Sequence, residues 1–270
     1  MFRKSASAIA TTARELLLQW RALAAIATLY LLLLTGLYLF VTTKEATKAQ
    51  VAVTIVLSIA APVLFFILQT AITKSWTTKS GRALIVNSLR DSWKLLLVSV
   101  PVVAICVLLL YLLNKLQGHF DARNYGVTLN IYQPPTPNQA TRPIHWGTAA
   151  VISARYLLLC VLAPLTLIHL WISASDDGLG KSLLGLFTKL KRAFATTSVL
   201  IYTGGFLVFG VIPYFLLNHN TPASRPWLQL GLFAAKLVAV FCLTLIGWLV
   251  TIRALAMTTA PRTAAAAKGA

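Results

Sequence analysis

Acidic side chains are scarce in this chain: six Asp and Glu stand against 24 Lys and Arg in 270 residues. All six, Glu15, Glu45, Asp91, Asp121, Asp176 and Asp177, fall in the segments between the long apolar runs or at their edges. Transport coupled to protons or sodium ordinarily places a carboxylate near the middle of the bilayer, and the runs offer none. Two-carboxylate glycosidase chemistry and intramembrane aspartyl catalysis are excluded on the same ground.

Cysteine is scarce too. Cys106, Cys160 and Cys242 lie inside apolar runs, without CxxC or Cys/His spacing, so neither a disulfide framework nor a zinc site is expected. No Gly-x-Ser-x-Gly or Ser/His/Asp arrangement occurs. Asp177-Gly-Leu-Gly-Lys-Ser182 lacks the first glycine of a P-loop, because Ser175 stands there. Ser175, Asp176 and Asp177 are expected instead to open a helix, where negative charge suits the N-terminus. His119, His145 and His219 lack metal-ligand spacing and read as solvated loop residues, and His169 as a bond to a neighbouring helix. The longest polar stretch, Lys115 to Trp146, is too short to fold as a domain of its own. With no catalytic constellation, metal or cofactor site expected, the chain reads as a non-enzyme.

Apolar residues make up 58% of the chain and charged residues 11%, a balance that excludes a water-soluble globular domain. Uncharged runs lie between Arg21 and Lys44, Lys48 and Lys74, Lys94 and Lys115, Arg155 and Asp176, Arg192 and Arg225, and Lys236 and Arg253. About 20 apolar residues cross ~30 Å of hydrocarbon as a helix. The first five runs meet that length, and the sixth meets it when residues before Lys236 are included. Lipid accepts only elements that satisfy their own backbone hydrogen bonds. The expected fold is therefore all-α: a polytopic membrane protein with six transmembrane helices in a single domain over residues 1–257, followed by a basic, Ala-rich flexible tail over 258–270. The apolar run after Arg21 is too long for a cleaved signal, so the first span is expected to be retained.

The net charge of +18 would suggest nucleic acid in a soluble protein, but here the basic residues gather where helices leave the membrane. Arg and Lys mark cytoplasmic loops. The N-terminus, second loop, fourth loop and C-terminus together hold 16 of them, against six on the other side. Both termini are thus expected in the cytoplasm of a multi-pass plasma (inner) membrane protein, with the Pro-rich loop from Lys115 to Trp146 outside. Nucleic acid is excluded as a partner.

Each pair of spans is introduced by a segment with helical apolar spacing: Ile9, Ala13, Leu16 and Trp20; Ile85, Leu89, Trp93 and Leu96; Leu183, Phe187, Leu190 and Phe194. These predict short amphipathic helices in the interface, with Arg14, Arg21, Arg90, Lys94, Lys189, Lys191 and Arg192 contacting anionic headgroups. Ala61-Pro62 matches Ala163-Pro164, and Trp146 precedes Arg155 by the spacing that separates Trp227 from Lys236. The repeats suggest three hairpin units, about residues 3–75, 78–174 and 178–257. Pro62, Pro101, Pro164 and Pro213 interrupt four spans, as packing features or as hinges.

Arg155 and Lys236 lie within apolar sequence, and no carboxylate in any span can pair with them. A charge inside a bilayer is by default a functional residue. Three readings stand: contact with an anion or lipid phosphate, snorkelling to the outer interface, or a structural hydrogen bond to backbone.

The segments Ser88-Leu-Arg-Asp-Ser-Trp-Lys94 and Thr188-Lys-Leu-Lys-Arg-Ala-Phe194, each leading into a span, resemble those of bacterial six-span proteins related to the membrane domain of glycerophosphoryl diester phosphodiesterases. That resemblance implies a non-catalytic membrane protein tied to lipid or envelope upkeep. The chain is also similar to permease subunits of ABC-2-type exporters, in which Lys74 to Lys94 would be the segment that couples to an ATPase. The function expected is a scaffold or accessory subunit of a membrane complex. The alternative is a transporter, as a permease subunit or as an anion or lipid pathway through Arg155 and Lys236. The partners implied are membrane lipids, other membrane subunits or a cytoplasmic ATPase.

Overall fold

A computed structural model describes residues 19–44, 46–76, 78, 80–124, 146–180, 191, 193–219 and 225–259. The regular elements among them are helical: α1 Trp20–Thr42, α2 Lys48–Lys74, α3 Gly81–Asn124, α4 Trp146–Leu157, α5 Ala163–Asp177, α6 Thr196–Phe206, α7 Ile212–Asn218 and α8 Pro226–Thr259. π-helical turns at Leu158–Leu162 and Leu207–Val211 join α4 to α5 and α6 to α7. Six of the resulting helices are long and apolar enough to cross a membrane. The protein is a multi-pass, all-α integral membrane protein. The N-terminal amphipathic segment before Gln19, most of the third one and the tail after Thr259 lie outside the described residues.

The local sequence explains where these helices start and how they conceal polar groups. Thr47 opens α2 with a capping box: its hydroxyl accepts from the Gln50 backbone, and the Gln50 side chain accepts from the Thr47 backbone. Along α1, the hydroxyls of Thr28, Thr35 and Thr42 donate to the carbonyl four residues earlier. That bond satisfies a hydroxyl which hydrocarbon would leave unpaired. Rows of large apolar side chains, Leu31, Ile55, Ile59, Val107 and Leu108 among them, point outward. In water they would be a liability; in lipid they are ordinary.

The four prolines behave differently. Pro164 and Pro213 each stand two residues beyond a π-helical turn. The carbonyls they deprive of a donor, those of Cys160 and Phe209, lie inside the widened turn, which relieves the clash with the ring. Pro62 and Pro101 sit in helices that remain α-helical.

Ile85, Leu89, Trp93 and Leu96 do not form a separate interfacial helix. They belong to the first turns of α3, which runs unbroken from Gly81 into the third span, because no helix breaker stands between Gly81 and Pro101. All four side chains are exposed, whereas Leu84, Ser88, Asp91, Leu95 and Val98 form the buried face. The apolar stripe is thus left open, as a surface in the acyl boundary requires.

Ser175, Asp176 and Asp177 also differ from expectation. They close α5 rather than open the next helix. Gly178 follows at φ +82°, the left-handed conformation in which glycine ends helices at no steric cost.

The chain divides into two compact units, one of residues 1–98 and 168–270, the other of residues 99–167. In the first, α1 buries Ala22, Ile26, Leu29 and Leu33 along one stripe. Tyr30 of α1 meets α8, with its hydroxyl 3.0 Å from Thr244 Oγ1 and its ring 5.1 Å from that of Phe241. Gly205 of α6 lies so close to Thr251 of α8 that a Cβ there would overlap the threonine side chain. Polar side chains are buried in this unit as well. Trp248 donates its indole N–H to Gln69 Oε1 at 3.0 Å, and the Thr73 and Ser175 hydroxyls lie 3.1 Å apart. His169 is 4% exposed, and its Nε2 meets no hydrogen-bond partner among the described residues. In the second unit, Phe120 of α3 packs on Gly147 of α4.

Candidate functional site

Arg155 stands nine residues after Trp146, which opens α4. Its Nη2 donates to Asn114 Oδ1 at 2.5 Å and to Gln117 Oε1 at 2.7 Å, both on α3. Asn114 and Gln117 are one turn apart and present two amide oxygens to one guanidinium, a charge-assisted pair of bonds. The cation is therefore solvated by side-chain amides, a partner the sequence did not suggest. Its Nε is buried and meets no hydrogen-bond partner among the described residues.

Lys236 stands nine residues after Trp227, in the first third of α8. Its Nζ donates to the backbone carbonyl of His219 at 2.5 Å. This is the structural backbone bond considered from sequence, although an ammonium has two further donors. In both places a basic residue nine positions after a Trp near the helix start reaches the end of the preceding span. Beside Lys236 lies an open notch of about 460 Å³, lined by polar His219 and Gln229 and by apolar Leu217, Leu230 and Phe233.

The basic residues expected at the interface are distributed as follows. Arg21 lies over the ring of Trp20, 5.5 Å from its centroid, as a cation on an aromatic anchor does. Arg90 and Lys191 are exposed. Lys94 is paired: its Nζ lies 2.7 Å from Asp91 Oδ1, while Lys74 at the end of α2 bonds Asp91 Oδ2. Arg14, Lys189 and Arg192 lie outside the described residues. Asp91, 7% exposed, is a buried clamp between two lysines rather than an open acid at the edge of a run. The Asp91–Lys94 spacing was a usable signal for half of that clamp, but nothing in the sequence pointed to Lys74.

Among the described residues no group of three or more His, Cys, Asp or Glu side chains converges as a metal site. Cys106 and Cys160 are partly buried thiols and Cys242 an exposed one. A second cavity, about 330 Å³ between α6 and α8, is lined almost wholly by apolar and small residues, among them Gly204, Gly205 and Gly247. It offers close packing rather than chemistry. No family model, curated protein or solved structure matches the chain.

Proposed function

We propose that the chain is a non-enzymatic membrane scaffold or accessory subunit, seated in the plasma membrane with both termini cytoplasmic and in contact with anionic lipid. The observation that carries this reading is how the charges at the span ends are used. Asp91 is enclosed by Lys74 and Lys94, and Arg155 is held by two amides. These groups brace helices; none is poised as an acid, base or nucleophile. The basic excess on one set of loops supports the orientation. Exposed Arg90 and Lys191, with the open stripe of Ile85, Leu89, Trp93 and Leu96, support contact with anionic headgroups. The resemblance to the membrane domain of glycerophosphoryl diester phosphodiesterases points the same way.

Purification of the tagged chain from its native membrane in mild detergent tests the role. A stoichiometric membrane partner, with no hydrolysis or group transfer by the purified protein, is the expected result. Turnover that is lost on Asp176 or Asp177 substitution would overturn it.

The second reading, an anion or lipid pathway or an ATPase-driven permease subunit, is favoured by one observation, the open notch beside Lys236. An ATPase retained through residues 74–94 would decide for the permease.

A further inference from the structure

The notch beside Lys236 sets one ammonium among apolar, imidazole and amide side chains. The bond from Lys236 to the His219 carbonyl sets Lys236 level with the outer end of the fifth span, which closes at Asn218. Lys236 and Arg253 are 17 residues apart on α8, about 26 Å at the rise of an α-helix, close to the ~30 Å of a hydrocarbon core. With Arg253 set at the inner face, the ammonium falls near the depth of lipid phosphates on the other. The first three turns of α8 continue past the end of the fifth span, and the notch occupies the angle between them.

The lining mixes apolar and polar groups along that axis. Leu217, exposed near the end of the fifth span, offers apolar surface on the bilayer side of the ammonium, and Phe233 and Leu230 add apolar surface one to two turns further out on α8. Gln229 stands seven residues before Lys236 on the same face, about 10 Å further out. Among the described residues no carboxylate lines the notch, so an anion is answered and the amine of a zwitterionic lipid is not. Arg155 makes a useful contrast: its Nη2 is already engaged by two amides, whereas the ammonium of Lys236 gives one of its three donors to His219.

We propose that this notch binds an anionic glycerophospholipid, with its phosphodiester on Lys236 Nζ, its acyl chains leaving past Leu217, and a hydroxylated headgroup reaching toward Gln229. The inference rests on the lipid-contact part of the reading above and not on the scaffold role.

The test is retention of lipid by the full-length protein in nanodiscs or mild detergent, read by native mass spectrometry with phosphatidylglycerol, phosphatidic acid and phosphatidylcholine. Wild type is expected to keep phosphatidylglycerol about fivefold better than Lys236→Ala, the effect of one basic contact at a headgroup. Lys236→Arg should keep it, and Arg155→Ala should not change it. Gln229→Leu should weaken phosphatidylglycerol but not phosphatidic acid, which has no headgroup to reach that far. If Lys236→Ala does not fold, the Gln229→Leu and Lys236→Arg pair carries the comparison. Equal retention by wild type and Lys236→Ala overturns the proposal, as does phosphatidylcholine held as well as phosphatidylglycerol. Inorganic phosphate that thermally stabilises delipidated wild type but not Lys236→Ala would make this a free-anion site and overturn the lipid assignment. Loss of every co-purifying subunit with lipid selectivity intact would sink the scaffold role alone.

Discussion

Asp91 shows how much structure a single carboxylate carries when acids are few. Its side chain is 10% exposed and accepts from both Lys74 and Lys94, joining the end of α2 to the second turn-pair of α3. Asp91→Asn keeps the shape but leaves two ammonium groups facing one neutral amide. Because both lysines reach solvent, the expected destabilisation is modest, about 1–2 kcal/mol. A thermal melt in detergent should show a lowered midpoint, and an unchanged midpoint would mean that the clamp is idle. Arg155 leads to a parallel expectation. Replacing Asn114 and Gln117 together by Leu removes both acceptors and leaves the guanidinium unanswered, a loss of about 1–3 kcal/mol, measurable by the same melt. The sequence exposed Arg155 and Lys236 as anomalies because a charge in apolar sequence is visible at once. It did not expose their acceptors: Asn114, Gln117 and the His219 carbonyl meet them across helices, and cross-helix register is not written in the spacing of one strand of sequence.

Elements were far more legible than contacts. Each span announced itself by a run without charge, since a helix in lipid must be both long and apolar. What escaped was continuity. Two sequence patterns, an amphipathic one over residues 85–96 and an apolar one after Lys94, occupy a single helix, α3, because a change of pattern is not a break in backbone hydrogen bonding. The break that does occur, at Gly178, falls after Asp177 rather than before Ser175. Between α6 and α8 the fold depends on small residues. Gly205→Val would force its side chain into Thr251, so a loss of about 1–3 kcal/mol is expected. Thr251→Ala in the same chain should restore part of it. Failure of the second substitution to rescue the first, in a double-mutant melt, would show that the two helices do not meet there.

At the scale of the molecule, the account reduces to six crossings with most of the charge gathered between them, and topology tests it most directly. In a chain whose Cys106, Cys160 and Cys242 are replaced by Ser, single cysteines at Lys44, Arg142, Arg225, Lys79, Lys191 and Lys268 are treated in intact cells with a membrane-impermeant thiol reagent. The account predicts labelling at Lys44, Arg142 and Arg225, and protection at Lys79, Lys191 and Lys268 until the membrane is opened. Labelling from the same face at two positions separated by one span, such as Lys44 and Lys79, would contradict it.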